Sequence, residues 1–146
     1  MATNFSDLAH DVITARKNWG APESMKLKES VSTKDISGKT IVIDEVIVMN
    51  KKKYDKEKKD YVKTKDGKDI YQPVTYVAFD GDKFFATKSA LLVEQLERFT
   101  GKKLTAYEDK DFIIDNIKGM SVKIGGENTK YRDGKEYEQV IFLDSE

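Results

Sequence analysis

The first regular pattern along the chain is a set of apolar positions spaced like one face of a helix. These positions are Phe5, Leu8, Ala9, Val12 and Ile13. Their spacing of three and four residues predicts an amphipathic helix over residues 5–17, which Gly20 and Pro22 end. We expect this helix to pack on the rest of the domain or to form part of a homo-oligomer contact. Residues 20–38 are polar and are interpreted as a connector, with a short strand near residues 25–31.

From residue 38 onward the apolar positions fall in short segments rich in β-branched and aromatic residues, which is typical of strands. Strands are predicted over residues 40–49, 71–79, 83–87, 120–124 and 137–143. A tight Asp-Gly-Asp turn at residues 80–82 joins the second strand to the third. Between the third and fourth strands a helix is predicted over residues 89–100, with Ser89 as its N-cap and Gly101 as its C-terminal stop.

Three segments between these elements have less regular patterns. Residues 50–69 are too polar for a core and predict either a long loop or an extended hairpin that reaches beyond the core. Residues 104–107 indicate a short strand, and residues 111–117 indicate a helical turn or a short helix. Residues 125–136 are rich in turn-forming residues and predict a loop between the fourth and fifth strands.

Five strands with a helix between the third and the fourth match the OB-fold, a small Greek-key barrel. We therefore predict a mainly β protein: a five-stranded OB-fold barrel over residues 38–146, preceded by the N-terminal amphipathic helix and connector over residues 1–37. Closure suits a chain with few apolar residues because it removes exposed sheet edges. In OB-folds the loops between strands 1 and 2 and between strands 4 and 5 flank the ligand-binding face.

Charged residues make up 36% of the 146-residue chain, yet 26 basic and 26 acidic residues cancel. This balance excludes a uniformly polycationic DNA condenser, so any basic site must be local. The basic residues are 23 Lys and 3 Arg. Arginine favours bidentate reading of base edges, whereas lysine is a point charge suited to phosphate. A lysine-dominated site is therefore expected to bind with little sequence preference, although AT-rich codon usage would produce the same bias.

The strongest candidate site is the segment between the first two strands, whose residues 51–69 hold nine lysines and five acids. Single-stranded nucleic acid is held by cationic grooves that follow the phosphates and by aromatic rings that stack on the bases. Both features occur together here. The candidate residues are Lys51, Lys52, Lys53, Tyr54, Lys56, Lys58, Lys59 and Tyr61. The alternative is a flexible, solvated loop whose lysines keep the protein in solution.

Two further sets of residues extend this hypothesis. Lys130, Tyr131 and Arg132 repeat the basic and aromatic composition between the fourth and fifth strands, where the alternative is an ordinary hairpin tip. Phe84 and Phe85 must lie on opposite faces of their strand. One of them should face outward, and we take Phe85, together with Tyr76, as a candidate for stacking on bases. The alternative is that these rings all pack in the core or under the N-terminal helix.

Enzymatic chemistry has little support in the sequence. The absence of Cys excludes disulfides, thiolate chemistry and cysteine-based zinc sites, and the single His, His10, excludes histidine clusters and argues against a His-dependent catalytic dyad. Asp44-Glu45 and the Asp80–Asp82 turn are the nearest approach to a carboxylate metal site, but turn geometry explains the turn and adjacent strand residues point apart. We therefore expect a non-enzymatic protein without cofactor or metal. Trp19 is expected to pack on the domain, the alternatives being contact with a partner protomer or stacking on a base.

The order of elements, with TIVIDEVIVM, the YQPVTYVAFDGDKFFATKS hairpin and the ALLVEQLERF helix, resembles the small single-stranded DNA-binding proteins of bacteriophages that infect low-GC Gram-positive hosts. The resemblance covers residues 38–143. It implies an OB-fold, sequence-independent binding of single-stranded DNA, and a part in phage DNA replication or recombination. It also implies a location in the host cytoplasm, which agrees with the lack of an apolar run long enough to cross a membrane. The rival hypothesis is a β-barrel protein-interaction module, such as a phage structural or host-directed inhibitory factor.

Overall fold

The helices and long strands predicted from the sequence are present, and shorter elements fill the segments between them. The computed structural model describes residues 4–130 and 136–145. In that part of the chain the helices are α1 (Phe5–Lys17), α2 (Thr33–Ile36) and α3 (Ala90–Thr100), with a 3₁₀ turn at Glu23–Met25. The strands are β1 (Glu29–Ser30), β2 (Thr40–Lys52), β3 (Tyr54–Asp55), β4 (Asp60–Tyr61), β5 (Tyr71–Phe79), β6 (Lys83–Thr87), β7 (Asp111–Ile113), β8 (Ser121–Lys130) and β9 (Glu136–Asp144).

The long strands form one sheet in the order β1-β6-β5-β2-β8-β9, and β7 pairs with β2 as well. The predicted five strands are β2, β5, β6, β8 and β9, and α3 lies between β6 and β8 in the chain. A mainly β fold with a helix between the third and fourth long strands is therefore confirmed. Among the residues described, no ladder joins β9 back to β6 or β1, so the sheet is not closed into a barrel.

The part of the sheet formed by β5 and β6 is buried on both faces. On one face Val48, Val77 and Phe85 pack with residues of α3 such as Leu92 and Leu96 in the larger apolar cluster. On the other face, the smaller cluster contains Ile47, Tyr76, Ala78 and Phe84, and residues Ala21 and Met25 of the connector cover it. Strand alternation explains the division, because neighbouring residues such as Phe84 and Phe85 point to opposite faces.

The connector is held in place by specific hydrogen bonds. The buried Asn18 side chain donates from Nδ2 to the carbonyls of Lys26 and Lys28, at 2.7 and 2.8 Å. Strand β1 then pairs in parallel with β6, as predicted for a short strand in this region. The connector is thus a fixed cover on the outer face of β5 and β6.

Helix α1 begins at the Asn4 cap, whose side chain accepts a hydrogen bond from the Asp7 amide at 2.8 Å. Its predicted bounds are confirmed, but none of its residues is buried. Of the two alternatives for this helix, packing on the rest of the domain is therefore wrong, and a homo-oligomer contact stays a prediction. Trp19, just beyond the helix, is 87% exposed and also does not pack on the domain. The connector covers the sheet face, so the helix is left outside the core.

Three segment predictions are wrong, and in each case strand pairing decides the outcome. Residues 104–107 form no strand. Residues 111–117 do not form a helix, because β7 adds to the edge of β2 with Met49 opposite Asp111. Residues 125–130 are not a loop, because they belong to β8, which continues to Lys130 beside β9, and residues 131–135 of the predicted loop lie outside the described residues. Gly125 suits a strand here, since a Cβ on it would lie 2.9 Å from Leu143 Cδ1.

Candidate nucleic-acid interface

Residues 51–70 form an ordered extension of the β2–β5 hairpin, which we call the basic arm. Lys51 and Lys52 still pair with Gln72 and Tyr71, so β2 runs three residues past its predicted end. Beyond them Lys53 donates its amide to the Ile70 carbonyl at 2.7 Å and accepts from the Val62 amide at 2.9 Å. Strands β3 and β4 then close the tip. Of the two alternatives for this segment, the extended hairpin is correct.

Two tyrosines form the aromatic part of the basic arm. Tyr54 and Tyr61 are directly opposite each other on β3 and β4. Their ring centroids are 5.4 Å apart and their planes meet at 75°, an edge-to-face pair. The two residues are 50% and 51% exposed. Each ring therefore keeps surface on which a base can stack while the other ring supports it.

The lysines at the tip of the basic arm are open to solvent. Lys53, Lys56, Lys58 and Lys59 are all exposed. Asp55 organises the turn that carries three of them, because its Oδ1 accepts from the amides of Glu57 and Lys58. Lys58, Tyr61 and Lys63 also border a shallow cavity of about 250 Å³ on the arm, together with carboxylates of Asp55 and Asp60. These ammonium groups form an exposed positive surface on the same arm as the tyrosine pair.

Lys52 links the basic arm to the sheet. Its ammonium is 3.5 Å from the Asp69 carboxylate and 5.9 Å from the centroid of the Tyr61 ring. The charge and hydrogen bond of Asp69 raise the pKa of Lys52, and Tyr71 and Asp109 add smaller contributions. Lys52 therefore stays positively charged next to an exposed ring at neutral pH.

Lys51 has a different role from the one predicted. Its ammonium donates to the Gly20 carbonyl at 2.6 Å and to the Tyr76 hydroxyl at 2.7 Å, and it lies 4.9 Å from the centroid of the Tyr76 ring. These contacts tie the connector to the sheet. The assignment of Lys51 to phosphate binding is not supported by this geometry, because its ammonium is engaged within the protein.

The prediction that Tyr76 and Phe85 face outward for base stacking is wrong. Phe85 is 0% exposed within the larger cluster, and Tyr76 is 7% exposed under the connector. Opposite placement of Phe84 and Phe85 is correct, but both faces of the sheet are covered. The alternative of core packing applies to both candidates. The covering element is the connector rather than the N-terminal helix.

The structure adds a neighbouring segment, residues 103–112, that the sequence analysis did not select. The buried Asn50 fixes its path, since its Nδ2 donates to the carbonyls of Leu104 and Lys110 at 3.0 Å each, and its Oδ1 accepts from the Ala106 amide at 3.1 Å. Tyr107 is 90% exposed, with the Lys103 ammonium 5.7 Å from its ring centroid. Because Asn50 directly precedes the arm, these hydrogen bonds place the segment beside the base of the arm.

A signal for this segment was present in the sequence, because Tyr107 lies between Lys103 and Lys110. The same basic and aromatic composition was used to select the arm. The sequence pattern does not show that this segment lies close to the arm. Met49 of β2 pairs with Asp111 of β7, which brings a segment more than fifty positions away in sequence to the base of the arm.

The second predicted basic set begins at the end of β8. Lys130 is the last residue of β8 and pairs with Glu136, while Tyr131 and Arg132 lie outside the described residues. Strand β8 pairs antiparallel with the start of β2, Thr40 opposite Lys123, so the β8–β9 hairpin extends away past that end. The arm continues from the other end of β2.

The carboxylates considered for a metal site have structural hydrogen bonds. Asp44 accepts from the Gly81 amide at 2.6 Å, Asp80 from the Val42 amide at 3.0 Å, and Glu45 from the Ser24 hydroxyl. No group of three or more His, Cys, Asp or Glu side chains in residues 4–130 and 136–145 is arranged to hold a metal ion. No helix in the same ranges is both long enough and apolar enough to cross a membrane.

Comparisons of the chain with protein-family models, with curated proteins and with solved structures give no match.

Proposed function

We propose that this protein binds single-stranded DNA without sequence preference, through the basic arm and residues 103–112. The proposal is supported above all by one observation. Three tyrosines, Tyr54, Tyr61 and Tyr107, expose their rings in a part of the molecule where Lys52 and Lys103 lie within 6 Å of a ring centroid. Stacked bases contact such rings while the neighbouring phosphates contact the ammonium groups.

The chemistry of the site favours binding to any sequence. Stacking on an aromatic ring contributes about 1–3 kcal/mol per base and is available to all four bases. Base-edge reading relies on planar donors such as arginine. Arg16 lies in α1, and Arg98 in α3 forms an ion pair with Glu94 at 3.1 Å. Neither belongs to the arm, whose cations are all lysines.

The sheet order supports an assignment to the OB class. The sequence β6-β5-β2-β8-β9 corresponds to the order 3-2-1-4-5 of the long strands, and OB-folds are themselves partly open Greek-key barrels. The arm joins the first and second long strands, the position of one of the two ligand-binding loops of that fold. The resemblance to phage single-stranded DNA-binding proteins would then assign the protein a non-enzymatic part in phage DNA replication or recombination.

The proposed binding differs from that of an OB-fold that uses its open sheet face. Here the connector covers the outer face of β5 and β6, so DNA would contact the arm and its neighbour rather than that face. The net charge of zero gives little long-range attraction, and affinity has to come from local contacts. Binding should therefore be moderate and should depend strongly on salt.

The first test is fluorescence anisotropy of a labelled oligo(dT) titrated with the protein at several salt concentrations. Logarithmic affinity should fall linearly with logarithmic salt, by about 0.7 per phosphate contact for single strands. The double variant Lys53→Glu/Lys58→Glu should weaken binding strongly. Its matched control, Lys34→Glu/Lys118→Glu, makes the same charge change at exposed lysines outside the arm and should bind nearly as the wild type.

The aromatic contribution is tested separately. Tyr61→Ala should lower the affinity by about 1–3 kcal/mol if a base stacks on that ring. Phe99→Ala is the matched control, since Phe99 on α3 is 50% exposed and lies outside the arm. Absence of oligo(dT) binding at low salt would refute the proposal. If the arm variants and their controls lost the same amount of affinity, the binding site would have to lie outside the arm.

A further inference from the structure

A cavity of about 560 Å³ opens to solvent near the place where the sheet does not close. It lies between Val74 and Tyr76 of β5, Ala86 of β6 and Val140 of β9. The Ser89 hydroxyl bonds the carbonyl and the amide of Val140, at 2.9 Å each, and so holds β9 next to the end of β6. The cavity falls within the range of roughly 300–1,000 Å³ that small-molecule sites occupy.

The polar groups that line the cavity are ammonium and hydroxyl groups. They belong to Thr33, Lys51, Tyr76, Thr87 and Lys88, and none of the described lining residues is an Asp or a Glu. An ammonium group only donates hydrogen bonds, and a hydroxyl group can donate one. The lining therefore combines two positive charges with hydrogen-bond donors, an arrangement that suits anionic oxygens and disfavours a cation.

Lys51 fixes the Tyr76 hydroxyl as a donor toward the cavity. Its ammonium donates to the Gly20 carbonyl at 2.6 Å and to the Tyr76 hydroxyl at 2.7 Å. Because the Tyr76 oxygen accepts this bond, its own proton is available to an acceptor in the cavity. Lys51 thus acts as a positioning residue, since its ammonium stays engaged within the protein and contributes its charge.

The other end of the cavity is formed by the two residues just before α3. Thr87 Oγ1 accepts from the Ser89 amide at 3.2 Å, which again leaves the hydroxyl proton available. Lys88 is exposed, and its flexible side chain can bring the ammonium onto a ligand. This end therefore supplies a direct positive contact that Lys51 does not.

We propose that this cavity binds a small organic anion. The carboxylate or phosphate group of the ligand contacts Lys88 and the hydroxyls of Tyr76 and Thr87. Its apolar body lies against Val74 and Ala86, which a bare inorganic ion would leave unused. A few polar groups that fix orientation, on an otherwise apolar surface, are the usual composition of a small-molecule site.

This inference goes beyond the binding of DNA. Apart from Lys51, no residue that lines the cavity belongs to the basic arm or to residues 103–112. The exposed rings of the arm are not part of the cavity. Binding of the anion and binding of oligo(dT) can therefore succeed or fail separately.

Titration of the full ¹⁵N-labelled chain with phenyl phosphate and with benzoate, at constant ionic strength, tests this proposal. At least one of these anions should cause saturable shifts in the amide signals of Ala86, Thr87 and Lys88. The dissociation constant should be roughly millimolar for ligands of about ten non-hydrogen atoms. Phenol lacks the anionic group and inorganic phosphate lacks the ring, so each should bind at least about tenfold more weakly. The tighter of the two organic anions identifies the preferred anionic group.

Two variants locate the site. Lys88→Gln should raise the dissociation constant about two- to fivefold, the range of an exposed ion pair. Its control, Lys118→Gln, makes the same change at an exposed lysine that does not line the cavity and should have no effect. Ala86→Leu fills part of the cavity and should weaken binding at least about tenfold. Its control is Ala9→Leu, at an exposed alanine of α1, and circular dichroism confirms that each variant is folded.

Absence of saturable shifts with either organic anion, up to tens of millimolar, would overturn the proposal. Phenol binding as tightly as the anions would also overturn it, because the positive charges would then have no role. The same conclusion would follow if Lys88→Gln and Lys118→Gln behaved alike, or if Ala86→Leu bound as tightly as the wild type. None of these results would alter the expected affinity for oligo(dT).

Discussion

Two adjacent lysines, each beside a tyrosine ring, lie in different environments. The Lys51 ammonium lies 4.9 Å from the Tyr76 ring centroid, and the Lys52 ammonium lies 5.9 Å from that of Tyr61. Tyr76 is 7% exposed, whereas Tyr61 is 51% exposed. The ammonium of the first pair is bound by the Gly20 carbonyl and the Tyr76 hydroxyl, whereas the ring of the second pair is open to solvent.

The difference arises from strand geometry and from one covering segment. Consecutive residues of β2 point to opposite faces, so Lys51 and Lys52 cannot share an environment. Residues Ala21 and Met25 of the connector cover only one of those faces. Composition therefore gives the two pairs equal weight as binding residues, while burial assigns the first to stability and the second to the proposed interface.

The largest expected effect separates a buried aromatic from an exposed one. Phe85→Ala should lower the free energy of unfolding by about 3–5 kcal/mol, because it opens a cavity at a fully buried site. Tyr54→Ala should lower it by less than about 1 kcal/mol, the value of an exposed cross-strand pair. Urea denaturation monitored by circular dichroism measures both. Equal losses would show that the burial contrast between core and arm is incorrect.

The next effect separates the two lysines. Lys51→Met should destabilise the protein by about 1.5–3 kcal/mol, since the Gly20 carbonyl and the Tyr76 hydroxyl lose a charged donor. Its affinity for oligo(dT) should not change once the folded fraction is taken into account. Lys52→Met should do the reverse, weakening binding with little change in stability. Urea denaturation and fluorescence anisotropy on both variants provide the comparison. If only Lys51→Met weakened binding, Lys51 rather than Lys52 would be the lysine that contacts DNA.

Much of the fold could be predicted from local patterns. Helix α1, the β5–β6 hairpin and α3 with its Ser89 and Gly101 caps depend on periodicity, turn residues and caps within a few positions. Strand β7 could not be predicted in this way, because it depends on pairing with a distant strand. The covered outer face depends on where the connector lies, and polar residues 20–38 give little indication that Met25 is fully buried.

The residues of the candidate site also fall into two groups: those that local composition indicates and those that depend on distant contacts. Tyr54, Tyr61 and the lysines at the tip lie in one continuous segment, and its composition was sufficient to select them. Tyr107 belongs to the same surface only because Asn50 and β7 hold its segment beside β2. Phe85 and Tyr76 were misassigned because alternation shows which face a side chain takes, but not whether another segment covers that face.

The smallest effect tests the environment of Lys52 directly. The Asp69 carboxylate is the main cause of its raised pKa. A raised folded-state pKa means that the favourable interaction is fully present below the unfolded-state pKa and is lost as pH rises through the folded-state value. Because lysine ordinarily titrates near pH 10.4, at about that pH in the unfolded chain, the interaction contributes fully at neutral pH and disappears only in strong alkali.

Asp69→Asn should therefore lower the pKa of Lys52 toward its ordinary value without removing its positive charge at pH 7. Titration of the Lys52 side-chain ¹³Cε signal in the wild type and in Asp69→Asn measures this shift. Affinity for oligo(dT) near pH 7 should not fall in Asp69→Asn, because the ammonium is released from its carboxylate partner and one negative charge leaves the arm. Identical titration midpoints would mean that Lys52 and Asp69 do not interact in solution, and the link between the arm and the sheet would then rest on backbone pairing alone.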